Sequence, residues 1–184
     1  MWVPALIQSY PFAGDLPTGL VFASFMVCIT IGGVLYGAAV GGGATSLMTG
    51  PRAVERFSLL CLVASALAMA VPTAGAPSAA FPQLAPSLAG FGPKLAAFLV
   101  LETCVGAFGG GAATMRSTYI PEDVQAAVMN LGRVPLNVLV VAGTYIADYA
   151  PPQVAFGSVA LAFVGGAVLQ AALISSLAKG GKRA

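Results

Sequence analysis

This chain has no histidine and very little charge. Of its 184 residues, eight are Lys or Arg and six are Asp or Glu, so 8% are charged, against about 25% in an ordinary soluble domain. Apolar residues make up 58% of the chain. No soluble fold covers itself in water with so few charges, so the chain reads as an integral membrane protein. The net charge of +2 is small and the basic residues are not clustered, which sets aside a nucleic-acid partner. Without histidine the commonest general base, the usual pH switch and the commonest metal ligand are all missing. Cysteine is scarce too: Cys28, Cys61 and Cys104 lie in separate apolar segments with no CxxC pairing. Neither a disulfide nor a metal site is expected from them. No nucleophile stands beside a base, so neither an enzyme nor a cofactor is expected. Met1-Trp-Val-Pro-Ala-Leu-Ile7 lacks the basic n-region and cleavage site of a signal peptide. It reads as the last turns of a helix.

What remains is apolar and helical. Five segments approach the roughly 20 residues needed to cross a bilayer: 17–40, 56–72, 93–115, 122–146 and 153–177. The expected fold is an all-α membrane bundle of five complete transmembrane helices plus the end of one more, in a single domain over residues 1–184. Thr73 to Gly92 is the longest connection expected and carries no charge. Arg52, Arg56, Arg116, Lys179, Lys182 and Arg183 fall on one side of this topology and Lys94 alone on the other. The positive-inside rule then places the C-terminus in the cytoplasm of a multi-pass cell-membrane protein. Gly33, Gly37 and Gly41, like Gly106 and Gly110, recur at four-residue spacing and are expected to let helices approach closely. Gly41-Gly-Gly-Ala-Thr-Ser46 lacks the Gly-Lys-Ser/Thr ending of a phosphate loop, so that reading is rejected.

The fourth span contains the anomaly. Arg133 sits in Asn130-Leu-Gly-Arg133-Val-Pro-Leu-Asn137, and a charge near the middle of a bilayer costs about 2.5–3.5 kcal/mol on insertion scales. At about 100° per residue, Asn130, Arg133 and Asn137 fall within a sector of about 60°, with Thr144 continuing the stripe. Two carboxamides and a guanidinium facing one volume supply the donors an oxyanion wants. Pro135 removes the amide that the Leu131 carbonyl would use, and such irregularity is tolerated where a helix faces protein or a cavity. Glu102, in the third span, is the other deeply placed charge. It is expected either to lock the helices as an ion pair with Arg133 or to act as counter-ion or coupling group. Glu122 and Asp123, behind Pro121, suit the positive end of a helix. Arg116 lies at an edge where it can snorkel to the interface.

The stretch from Thr114 to Asn137, with Arg116, Ile120-Pro121-Glu122, Asn130, Arg133 and Pro135-Leu136, resembles the molybdate-anion transporters of the major facilitator superfamily. Trp2-Val-Pro-Ala-Leu and Gly19-Leu-Val-Phe-Ala-Ser-Phe-Met26 are similar to that family's seventh-helix end and eighth-helix start. The resemblance implies uptake of molybdate across the plasma membrane, with Arg133, Asn130 and Asn137 as substrate ligands. Arg116, Pro121 and Glu122 would form the cytoplasmic-edge motif. It also implies that this chain is the C-terminal half of a twelve-helix bundle. The expectation is therefore a fragment of a longer carrier, working in the bilayer with an N-terminal six-helix half or with a second subunit. The alternatives are a carrier of the same superfamily for a sugar or organic anion, and a non-transporting membrane scaffold.

Overall fold

The computed structural model describes residues 2–41, 46–50, 52–75 and 86–180, and within them the chain is helical. The order is α1 (Trp2–Ile7), α2 (Thr18–Val40), α3 (Ala53–Gly75), a 3-10 turn at Pro86–Leu88, α4 (Phe91–Tyr119), α5 (Glu122–Tyr149) and α6 (Pro152–Gly180). No strand occurs among the described residues. Five helices are long and apolar enough to cross a membrane. Each falls on one of the expected spans, α2 beginning one residue later than expected, and α3 and α4 reach further than expected into the Thr73 to Gly92 stretch. Residues 76–85 of that stretch, and 42–45 of the glycine-rich loop, lie outside the described residues.

Prolines set several helix boundaries. Ile120 (φ −114°, ψ 118°) ends α4 and Ala150 (φ −95°, ψ 155°) ends α5. Each precedes a proline, whose ring disfavours the α conformation in the residue before it and so stops the helix. Pro121 then occupies the N-cap of α5 rather than its first turn. Pro135 is different, because α5 runs through it as one helix.

Packing is centred on α4, which lies against α2 and α3, while α3 also packs along α6. Small residues permit the crossings. A methyl group on Gly32 would collide with the Thr103 carbonyl, and one on Gly106 with the Ile29 carbonyl. Gly110 and Gly111 sit under Tyr36 and Ser58 in the same way. The expected face at Gly33 and Gly37 is not the contact: both have open space where a side chain would go. The α2 contact lies one residue back, at Gly32. Tyr36 Oη and Thr114 Oγ1 share a hydrogen bond of 2.6 Å across the same seam.

The short α1 is anchored by aromatics. Leu6 is fully buried, and Trp2 meets Phe25 edge-on at 5.1 Å. Phe98 continues this cluster between Phe25 and Phe156, with ring centroids 6.4 Å and 5.9 Å away. By contrast α5 has no buried residue, and α6 is its main neighbour.

Candidate functional site

The polar stripe of α5 is present as one helical surface. Asn130, Arg133, Asn137 and Thr144 all lie within the unbroken helix Glu122–Tyr149 and all are exposed on the chain's own surface. The apolar residues around them are exposed as well: Leu131 by 75%, Val134 by 63% and Val141 by 70%. Arg133 is thus exposed on this chain's surface, and among the described residues it forms no hydrogen bond or ion pair. The side chains of Asn130 and Asn137 are likewise without partners there. Thr144 turns its hydroxyl back to the Val140 carbonyl at 2.9 Å, which removes it as a donor to a ligand. Asn137 opens a shallow apolar groove that continues along Val138, Val141 and Tyr145.

Glu102 is not brought to Arg133. It lies half-buried on α4, beside the Thr103 carbonyl that packs on Gly32. The two helices form no packed interface, because α4 is occupied by α2 and α3 while α5 borders α6. No described residue pairs with Glu102. The interhelical ion pair is thus not formed within this chain.

The edge motif divides. Arg116 is half-buried in the last turn of α4, where a cation suits the negative end of the helix. Glu122 is exposed in the first turn of α5, where an anion suits the positive end. Pro121 separates them.

A network that sequence reasoning missed lies at the same end. Glu55, 7% exposed, accepts a very short hydrogen bond from Tyr119 Oη. Gln170 Nε2 donates to the Glu55 carbonyl at 3.1 Å. Arg52, held at φ 70°, donates from its guanidinium to the Leu177 carbonyl at 2.7 Å. These bonds tie the start of α3 to the ends of α4 and α6. They gather Arg52, Arg56, Arg116 and the end of α6 at one pole of the bundle, with Lys94 at the other. Arg52-Ala-Val-Glu55 showed its one-turn spacing in the sequence, but only the charge of Arg52 entered the topology argument.

Compared with known proteins, the chain matches no family model, no curated protein and no solved structure. The α5 stripe is therefore interpreted from its own chemistry. Its donors are exposed on the chain's own surface.

Proposed function

We propose that this chain forms part of a membrane carrier for a tetrahedral oxyanion, with molybdate as the cargo. Arg133 carries the reading. An arginine near the middle of an apolar helix needs a counter-charge or a polar cavity, and no described residue of this chain supplies a counter-charge. A passing oxyanion meets that need. Asn130 and Asn137 add donors one turn to either side, and the resemblance of the Thr114 to Asn137 stretch to molybdate-anion transporters names the cargo.

In this reading α5 faces a central path completed by another six-helix half or a second subunit, as repeat-built carriers require. The fold is then the C-terminal half of a major facilitator bundle in the cell membrane. Its arginine-rich pole and its C-terminus lie in the cytoplasm, where positive charge accumulates. Glu102 takes up the role of counter-ion or coupling group only when that path is complete. The scaffold reading finds its support in the same exposed α5 surface, which would then be an assembly face.

The test is uptake of radioactive molybdate by a host lacking its own high-affinity uptake and expressing the complete protein. Arg133→Ala should lower uptake about tenfold or more, as expected for losing a charge-assisted hydrogen bond of about 1.5–3 kcal/mol. Abundance in the membrane should stay near normal. Uptake that survives Arg133→Ala refutes the ligand role, whereas disappearance of the protein from the membrane supports the scaffold. Competition by sulfate or by an organic anion reassigns the cargo within the carrier class.

A further inference from the structure

At the pole opposite the arginines, a lysine is buried, and no described residue pairs with it. Lys94 lies in the first turn of α4 and is 5% exposed. Among the described residues, its ammonium makes no hydrogen bond or ion pair. It lines a cavity of about 70 Å³ with Gln8 just after α1, Pro72 of α3, Ala150 after α5, and Pro152 and Phe156 of α6. Among the described residues, no carboxylate lines that cavity.

Two features of the position disfavour a cation and favour an anion beside it. A buried charge is stable only when paired. A lysine in the first turn of a helix faces the positive end of that helix's dipole. The end of α5 opposes this, since its last carbonyls near Ala147 and Ala150 attract an ammonium. No hydrogen bond joins them to Lys94. The volume is about half of the ~150 Å³ that holds a benzene. That scale suits one small oxyanion.

We propose that the Lys94 cavity binds a small tetrahedral oxyanion, either free in solution or as the phosphate of a lipid headgroup. The proposal stands on Lys94 and its cavity, independently of the role given to Arg133. The site would lie at the pole away from the arginines, and in a carrier it would be the station an anion meets before or after α5.

The chain has three lysines, Lys94, Lys179 and Lys182, so Lys179→Arg/Lys182→Arg leaves Lys94 as the sole lysine. With lysine labelled by carbon-13 at the ε position, the Lys94 ammonium can be followed by NMR in maltoside micelles, which carry no phosphate. Sodium molybdate or sulfate should shift the Lys94 signal saturably, at a half-saturating concentration at least about tenfold below that of chloride. In nanodiscs of phosphatidylglycerol, a shifted signal without added oxyanion identifies the lipid phosphate as the source. A signal unmoved in both settings overturns the proposal, as does one that follows chloride and oxyanions alike. The same titration on Arg133→Ala separates the two ideas. A retained shift supports an independent Lys94 site even if Arg133 proves irrelevant to uptake, and a lost shift overturns that independence.

Discussion

At the scale of single residues, glycines make the sharpest distinction. Gly32 and Gly33 are neighbours on α2, yet one touches the α4 backbone and the other faces open space. Gly32→Val should wedge α2 from α4 and destabilise the bundle by about 1–3 kcal/mol, the usual range for overpacking. Gly33→Ala should be neutral or stabilising by up to about 1 kcal/mol, because it replaces a poor helix former in an open position. Thermal unfolding in detergent, followed by size-exclusion chromatography, would read both. Equal effects at the two positions would show that the seam is placed wrongly. Tyr119 offers a second residue-scale test. Tyr119→Phe removes the hydroxyl that bonds the buried Glu55 carboxylate, and should cost about 1–3 kcal/mol by the same measurement. Tyr10→Phe, at the other pole, has no such bond to lose and serves as the control.

Among the helices, α5 is exceptional. It has no buried residue, whereas α3 buries Cys61, Ser65 and Met69 along its length. Backbone amides held only by their own helix should exchange with solvent faster than those in packed helices. Hydrogen exchange in micelles should therefore find α5 less protected than α4, by about tenfold or more. Comparable protection in both would mean that α5 is packed more tightly than its contacts show. Much about the elements was legible in the sequence. The hydropathy of the five segments and the prolines at 121 and 151 place five long helices with little ambiguity. Their neighbours were not legible. A four-residue spacing marks a small face on a helix without saying whether anything meets it, which is why Gly33 and Gly37 misled. Glu102 and Arg133 looked like partners because both are deeply placed charges, but a sequence holds no distances. The burial of Lys94 was equally hidden, since it depends on α1, α3 and α6 converging on one point. The α5 stripe needed only helical periodicity, and it was visible from the start.

The whole molecule is polarised from end to end. One pole is knitted by Arg52, Glu55, Tyr119 and Gln170, which join α3, α4 and α6 through side chains. The other relies on an aromatic cluster, with Tyr10 against Phe91 at 5.3 Å and Trp2 against Phe25. Between them α5 runs the full length with its polar stripe outward. In the proposed carrier, the packed α2–α3–α4–α6 block would be the body that rocks and the α5 face the surface it turns toward its other half.

The bareness of α5 also bears on how the protein is made. A helix with no buried residue must enter the bilayer on its own hydropathy, and α5 has the lowest of the five, 1.4 against 2.1 for α2. Arg133 is then a burden at the moment of insertion, before any partner or anion is present. Arg133→Leu should favour insertion by about 3 kcal/mol in a translocon assay, while uptake falls. The side chain proposed to serve transport is the one that biogenesis would discard.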